Sequence, residues 1–144
     1  MALIESKIAV VDDEEDIVEV VGAILADEFP TIKRFLFTDP MAALDAIRKE
    51  RINIVVLDLS MPKIHGTDLF HLCLKMAHGC RVILFSGAHS ASQVVSAFSD
   101  GAQDFVFKPF SREEVISAVR HSVSDINRWN ETIGRSVQLN RGSD

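Results

Sequence analysis

The chain has 144 residues, and a hydrophobic content of 47% with 25% charged residues predicts one globular domain with a well-formed core. The formal net charge is −6 and lysine and arginine do not cluster, so direct binding to nucleic acid is not expected. No apolar run reaches membrane-spanning length and no signal-peptide pattern is present, which favours a cytoplasmic protein without a membrane partner. Cys73 and Cys80 lack metal-ligand spacing and are interpreted as reduced thiols, in keeping with that compartment.

The first part of the chain predicts a strand, an acidic loop, a helix and a second strand. Lys7–Val11 is an apolar run that ends in Asp12 and Asp13. The acidic residues at 14–16 suit the first turn of a helix because they complement its dipole. The segment 31–37 then predicts a second strand, and its two basic residues place it near the edge of a sheet.

The middle of the chain predicts a helix followed by a central strand. Asp39 and Pro40 open the helix, since aspartate is a favourable N-cap and proline fits the first helical position. The next run, 52–57, is almost entirely apolar, which predicts a strand buried on both faces. That strand ends at Asp58, and the sequence at 60–62 breaks it.

The second half of the chain continues the alternation of strands and helices. The inward residues predicted for the third helix, which begins near Gly66, are Leu69, Leu72, Cys73 and Met76. Apolar runs at 81–85 and 104–107 predict two more strands, a helix covers 90–99, and a capping-box sequence at 111–114 begins the last helix. Five such alternations predict an α/β fold with a doubly wound, five-stranded parallel sheet and helices on both faces.

Polar side chains stand where four of the predicted strands end. They are Asp12 and Asp13 after the first strand, Asp58 after the third, Ser86 after the fourth and Lys108 after the fifth. Taken singly, each has an ordinary interpretation as a helix start, a turn residue or a surface lysine. Because the carboxyl ends of parallel strands meet at one edge of the sheet, their coincidence favours one shared site.

The chemistry of this set points to a phosphoryl group. Three carboxylates at close range repel one another unless a cation neutralises them, and Mg²⁺ is the hard cation that oxygen ligands suit. Lys108 adds a positive charge for an anion and Ser86 adds a hydroxyl donor. Asp58 is the best candidate for the attacking nucleophile because it is central and flanked by the other groups.

These segments together resemble the receiver domain of two-component response regulators. The matching pieces are Val-Asp-Asp at 11–13, Leu-Asp-Leu-Ser-Met-Pro at 57–62 with Gly66, Phe-Ser-Gly at 85–87, Gly-Ala-Gln-Asp-Phe at 101–105 and Lys-Pro-Phe at 108–110. The resemblance covers residues 7 to about 126, and the pieces occur in the family's order. The resemblance implies a flavodoxin-like (βα)5 fold and a signalling module that catalyses only its own phosphoryl uptake and loss.

The resemblance also implies a role for each site residue. Asp58 would accept a phosphoryl group from a histidine kinase or a phosphotransfer protein, and Lys108 would contact the phosphoryl oxygens. The peptide bond between Lys108 and Pro109 would be cis. The Mg²⁺ ligands would be the side chains of Asp13 and Asp58 and the backbone carbonyl of Ser60, with Asp12 acting largely through water.

Ser86 and Phe105 would form a switch pair in the same resemblance. They would couple phosphorylation to the surface formed by the fourth helix, the last strand and the last helix, where an unknown downstream protein or effector domain would bind. The aromatic is Phe105 rather than the tyrosine often found in the family, so a switch with altered bias is expected. Ser60 and Ala88 are small at positions that influence dephosphorylation in the family, which predicts an open approach for water.

The C-terminal residues leave two interpretations open. Residues 1–129 are predicted to form the domain, and 130–144 a polar tail or the start of a linker helix. Ile133 and Val137 continue a helical spacing, and a coiled-coil seam with Asn130 fixing its register would pair two copies or lead to an output module. Gly134 and the polar ending favour a loose tail instead. The chain would be a single-domain regulator or a receiver from a longer protein.

Two other functions compete with phosphorylation-switched signalling. A phosphatase of the haloacid dehalogenase class also uses an aspartate nucleophile and Mg²⁺, but its pattern has a second aspartate two residues later, where this chain has Ser60. A receiver-like scaffold that needs no phosphorylation is the other alternative. The complete acidic set with Lys108 argues against it, since a degenerate site need not retain these groups.

Overall fold

The computed structural model describes residues 4–61, 66–87 and 90–142, and within them strands and helices alternate as predicted. The strands are β1 (Lys7–Val11), β2 (Lys33–Phe37), β3 (Ile54–Asp58), β4 (Arg81–Ser86) and β5 (Asp104–Phe107). The helices are α1 (Glu15–Glu28), α2 (Pro40–Lys49), α3 (Gly66–Leu74), α4 (Ala91–Asp100) and α5 (Arg112–Gly142).

All five strands pair in parallel in one sheet with the order β2-β1-β3-β4-β5. The edge position predicted for the second strand is confirmed, and its two basic residues, Lys33 and Arg34, are exposed. The strand order reverses between β1 and β3, and open α/β sheets bind their ligands beyond the carboxyl ends of the strands at such a point. The topology therefore directs attention to the residues that follow β1 and β3.

Alternate residues of each strand contribute to two separate hydrophobic cores, one on each face of the sheet. Ile8, Val56 and Phe85 pack with α1 and α5 on one face. Ala9, Leu57 and Leu84 pack with α2 and α3 on the other. This explains the unbroken apolar runs, because a strand buried on both faces has no polar position until it leaves the sheet.

The helix starts follow the expected local chemistry. The carboxylate of Asp39 accepts a hydrogen bond from the Met41 N–H at the start of α2, and Pro40 is the first helical residue. Before α5, the Ser111 hydroxyl accepts from the Glu114 N–H at 3.2 Å, as the capping-box sequence predicts. These contacts fix where each helix leaves its loop.

The last helix corrects the expectation of a loose tail. α5 continues for 31 residues to Gly142, about 46 Å at 1.5 Å per residue, because the glutamate, arginine, glutamine and leucine around Gly134 favour helix beyond the sheet. Asn130 does not face a second helix here: its amide bonds the backbone of Ile4, accepting from the N–H at 2.8 Å and donating to the carbonyl at 2.9 Å. In the described part of the chain, no helix is both long and apolar enough to cross a membrane.

Candidate functional site

Asp58 ends the most deeply buried strand of the sheet. Every residue of β3 is buried, and Asp58 itself is only 2% exposed. Its Oδ1 accepts a hydrogen bond from the Ser60 N–H at 3.2 Å, so the carboxylate caps the turn that follows the strand. One backbone donor does not fully replace the water that a buried carboxylate loses, which leaves Asp58 in need of further partners.

Asp12 repeats this arrangement at the end of the neighbouring strand. It is 2% exposed, and its Oδ1 accepts from the Glu14 N–H at 2.9 Å. The Asp12 N–H donates to the Phe37 carbonyl at 3.2 Å, which ties the loop to the end of β2. Asp13, by contrast, is exposed. One acid of this pair is therefore held inside the fold while the other faces solvent.

Lys108 brings a positive charge between the two buried carboxylates. Its Nζ lies 2.8 Å from Asp12 Oδ2 and 3.5 Å from Asp58 Oδ1. The Lys108 N–H donates to the Ser86 carbonyl at 2.9 Å, and the bond to Pro109 is cis, as the family resemblance implied. The ammonium thus reaches both acids from the end of β5.

The pKa values of Asp58 and Lys108 are both shifted by the acids gathered at this site. Burial, with the nearby Asp12 carboxylate, raises the pKa of Asp58, although the Ser60 N–H and Lys108 oppose the rise. Burial alone would lower the pKa of Lys108, but the hydrogen bond to Asp12 and the charges of Asp58, Asp12 and Glu14 raise it. The lysine is therefore held in its charged form, while the charged form of Asp58 is disfavoured by burial and by the second carboxylate.

The three acids have the spacing of a cation site. One carboxylate oxygen from each of Asp12, Asp13 and Asp58 lies within 4.8 Å of the other two. Three carboxylates face the single ammonium of Lys108 at this point of the described structure, so negative charge is in excess. Oxygen ligands with excess negative charge fit a hard divalent cation such as Mg²⁺.

The structure also locates the remaining predicted site residues. Ser86 is the last residue of β4 and is 2% exposed, and Phe105 is half-buried on β5, where its ring centroid lies 5.3 Å from that of Phe107. Ser60 is exposed just beyond Asp58. Ala88 lies outside the described residues, so its expected effect on water access stays a prediction.

One contributor was not singled out by the sequence. Glu14 lies close enough for its charge to raise the pKa of Lys108, whereas the sequence marked it only as part of an acidic helix start. The sequence could have indicated this from the position of Glu14 two residues after Asp12, in the turn that the Asp12 carboxylate caps. Acids within such a turn lie near the same cation.

Comparison with known proteins gives a consistent picture. A family model described as the response regulator receiver domain matches residues 8–120. The regulatory protein VanRc of Enterococcus gallinarum is 32% identical over 126 residues, which cover 88% of this chain and 53% of that protein. The DNA-binding response regulator MtrA of Mycobacterium tuberculosis is 31% identical over 121 residues, covering 83% of this chain and 51% of that protein. The chain thus spans about half the length of these relatives.

Solved structures show the same architecture. The receiver domain of a LuxO repressor protein from Vibrio parahaemolyticus superposes with a TM-score of 0.82 at 19% identity, covering 90% of this chain and 98% of that one. NtrX from Brucella abortus gives a TM-score of 0.77 at 30% identity, covering 90% of this chain and 29% of that one. A CheY-like receiver domain from Methanospirillum hungatei has a TM-score of 0.76 at 22% identity, covering 87% of this chain and 98% of that one.

Proposed function

The chain belongs to the response regulator receiver domain family, and on that premise we propose that Asp58 accepts a phosphoryl group and thereby switches a protein–protein signal. The observation that supports this most strongly is the contact of Lys108 with both Asp12 and Asp58 at the end of the sheet. The phosphoryl donor is a histidine kinase or a phosphotransfer protein.

The proposed chemistry is a displacement at phosphorus. A carboxylate oxygen of Asp58 forms a new bond to phosphorus while the bond between phosphorus and the donor's imidazole nitrogen breaks. Lys108 moves from its contact with Asp58 to the phosphoryl oxygens and keeps Asp12 as its second partner, since its Nζ already lies between the two acids. The Ser60 N–H holds the remaining oxygen of Asp58 and so orients the nucleophile.

Mg²⁺ is the proposed cofactor, held by the side chains of Asp13 and Asp58 and the Ser60 carbonyl, with Asp12 acting largely through water. When bound, it offsets the negative charge that gathers as acid and phosphoryl group approach each other. Asp13 is exposed, so its carboxylate can reach an ion at the surface of the site. The carboxylate oxygens of the three acids lie within 4.8 Å of one another, which suits a shared ion.

Ser86 and Phe105 are the proposed links from the site to a docking surface. Ser86 ends β4, and its carbonyl accepts from the Lys108 N–H, so the hydroxyl-bearing residue is tied to the lysine that would hold the phosphoryl group. Phe105 lines a groove of about 290 Å³ beneath α4, next to Phe98 and Phe107, which are both exposed. Movement of the Ser86 hydroxyl toward the phosphoryl group would let the Phe105 ring move inward and reshape this groove.

The wider biology follows from the same premise and stays a proposal. The protein acts in the cytoplasm, and its catalysis is limited to gain and loss of its own phosphoryl group. Its output passes to a downstream protein or an effector domain. The receiver comprises residues 1–129, and the signal leaves it through a linker helix beyond residue 129 or through a homodimer. MtrA carries DNA binding in its name, but this chain spans about half of that protein, and we expect no direct nucleic-acid contact from the acidic receiver itself.

Intact-mass spectrometry with a small acyl phosphate as donor tests this proposal. The full chain is incubated with and without Mg²⁺, beside the variants Asp58→Asn and Asp16→Asn, the second of which changes an exposed acid of the first turn of α1. We expect one added phosphoryl group in the wild type and in Asp16→Asn, dependent on Mg²⁺, and none in Asp58→Asn. A gain that survives in Asp58→Asn contradicts the choice of acceptor, and no gain in any protein favours the scaffold alternative.

A further inference from the structure

The two cysteines meet at the end of the sheet opposite to Asp58. Cys73 lies in the last turns of α3 and Cys80 directly precedes β4, so six residues of chain separate them. Both belong to the same hydrophobic core, where Cys73 is buried and Cys80 packs against it from the partly exposed side. Both are free thiols in this structure. They are a pair in contact rather than two separate core residues.

The two thiols differ in access. Cys73 is fully buried, while Cys80 is partly exposed. The hydrogen bond from Cys73 lowers the pKa of Cys80, and the same contact, with burial, raises the pKa of Cys73. Cys80 is thus the thiol that a reagent reaches first and that ionises first.

A histidine completes the surroundings of Cys80. His78 Nε2 lies 2.8 Å from the Ile52 carbonyl oxygen and 3.6 Å from Cys80 Sγ. Because a carbonyl oxygen only accepts hydrogen bonds, Nε2 carries a proton, and this N–H lies beside the Cys80 sulfur. Cys80 Sγ also lies 3.4 Å from the same carbonyl oxygen. In the thiol form Cys80 donates to this carbonyl, and once Cys80 has lost its proton the His78 N–H is a donor within reach of the thiolate.

We propose that Cys80 and Cys73 form a thiol–disulfide site that reacts with peroxides, with Cys80 as the attacking thiol and Cys73 as the resolving thiol. The argument rests on the packing of the two cysteines in one core, their unequal exposure and the His78 N–H 3.6 Å from Cys80 Sγ. It is independent of phosphorylation, since none of these groups belongs to the acidic cluster.

The proposed reaction has two steps. The Cys80 thiolate attacks one peroxide oxygen, the O–O bond breaks, and the departing oxygen leaves as water or an alcohol after taking a proton, which leaves a sulfenic acid on Cys80. The Cys73 sulfur then attacks the Cys80 sulfur, its proton goes to the departing hydroxide, and water leaves. Two thiols and one peroxide thus give one disulfide, one water and one water or alcohol. The peroxide is reduced and the thiols are oxidised.

The disulfide would join the end of α3 to the start of β4. Cys80 directly precedes β4 and Ser86 ends it, about 20 Å away at 3.3 Å per residue, so the bond forms far from the acidic cluster. It would restrain the position of α3, the helix that follows the turn after Asp58.

Intact mass combined with thiol alkylation tests the pair in the full, folded chain. The protein is treated with hydrogen peroxide, alkylated with iodoacetamide, and digested for peptide mapping. We expect the wild type to lose two hydrogens and both alkylation sites, and to yield a peptide pair linked through Cys73 and Cys80. Reduction should restore both alkylation sites.

Two variants assign the roles of the thiols. Cys73→Ser should stop at one added oxygen on Cys80, which a cyclic dione traps, and Cys80→Ser should leave Cys73 unoxidised under the same conditions. A wild type that keeps both thiols, forms disulfides only between molecules, or gains oxygen without a Cys73–Cys80 link overturns the proposal. Equal oxidation of Cys73 in Cys80→Ser overturns the assigned order. Because the wild-type peptide map decides the main point, an unfolded variant leaves the test valid.

Discussion

The two ends of the sheet treat buried polar groups in different ways. At the carboxyl end, the acids Asp12 and Asp58 face each other across one lysine and share a few backbone donors. At the amino end, Asn53 is also buried, but both its amide oxygen and its amide nitrogen have partners: it accepts from the Lys7 N–H at 3.0 Å and donates to the Glu5 carbonyl at 2.9 Å. Carboxylates of like charge therefore lie together at the carboxyl end, whereas at the amino end a neutral side chain makes hydrogen bonds with the backbone.

This difference separates a site from a structural contact. Asn53 exchanges hydrogen bonds with backbone that would otherwise be unpaired, so its burial stabilises the fold and requires no ligand. The burial of Asp58 beside Asp12 raises the pKa of Asp58, so the fold holds this carboxylate in an environment that disfavours its charge. Buried charge that the protein itself does not neutralise indicates a place where a cation and an anionic group bind.

The largest effect is expected from removing the lysine. Lys108→Ala leaves Asp12 and Asp58 without their shared ammonium, and we expect the free energy of unfolding to fall by about 2–3 kcal/mol because buried carboxylates then lie unpaired. Phosphoryl uptake should fall at least about tenfold, the cost of one charged contact to the transition state. Urea unfolding and the intact-mass assay measure both quantities.

Lys49→Ala is the matched control, since Lys49 pairs with Asp45 at the surface. That variant should change stability by about 0.5 kcal/mol or less and leave uptake intact. Equal behaviour of the two lysine variants would contradict the role of Lys108 as the partner of the buried carboxylates.

Asn53→Ala should lower stability without lowering function. The variant leaves the Lys7 N–H and the Glu5 carbonyl without their side-chain partner, and we expect a loss of about 1–2 kcal/mol in the free energy of unfolding. Phosphoryl uptake per folded molecule should equal that of the wild type, because Asn53 directly precedes β3, whereas Asp58 ends it. A reduced uptake by fully folded Asn53→Ala would show that the two ends are coupled.

Magnesium should stabilise the wild type and do so through the acidic cluster. At ten times its Kd, a ligand that binds only the folded state adds about 1.4 kcal/mol to the free energy of unfolding. Asp13→Asn should lose most of this gain, whereas Asp16→Asn, which lies outside the cluster, should keep it. Thermal unfolding over a series of Mg²⁺ concentrations measures the gain. An equal response of both variants would contradict a role for Asp13 as a ligand.

The smallest expected effect is a gain in stability when the Asp58 charge is removed. The raised pKa means that folding disfavours the charged form, so wild-type stability falls as pH rises from the unfolded value of 3.8 through the folded pKa. Asp58→Asn lacks this loss, and at pH 7 without metal we expect it to be more stable by about 1 kcal/mol. The difference between the two proteins should grow over that pH range and then stay constant. Equal stability at all pH values would contradict the burial of an unneutralised charge.

The sequence was sufficient to predict that Asp12, Asp58 and Lys108 lie together, because local patterns mark where each strand ends. Each buried strand appears as an apolar run, and the first polar residues after the run, Asp12 and Asp58 among them, mark where the chain leaves the sheet. Parallel strands place these points at one edge, so no knowledge of distant contacts was needed. The topology then placed Lys108 beside both acids.

The sequence was insufficient where contacts join distant parts of the chain. Asn130 bonds Ile4 across 126 residues, and no local pattern indicates that pairing. Leu72 was predicted to face inward but is 42% exposed, while Phe70 fills the core, because α3 is short and its apolar residues allow more than one inward face. The contact of Cys73 with Cys80 likewise depends on how α3 packs beside β4.

The most direct test of the phosphoryl site is to identify which acid carries the phosphoryl group. The phosphorylated wild type is treated with borohydride, which reduces an acyl phosphate to the alcohol and so converts the modified aspartate to homoserine. Peptide mapping then reads positions 12, 13 and 58 separately. We predict homoserine at position 58 alone, and only after incubation with Mg²⁺. Homoserine at Asp12 or Asp13, or none in a protein that has gained the phosphoryl mass, would contradict Asp58 as the acceptor.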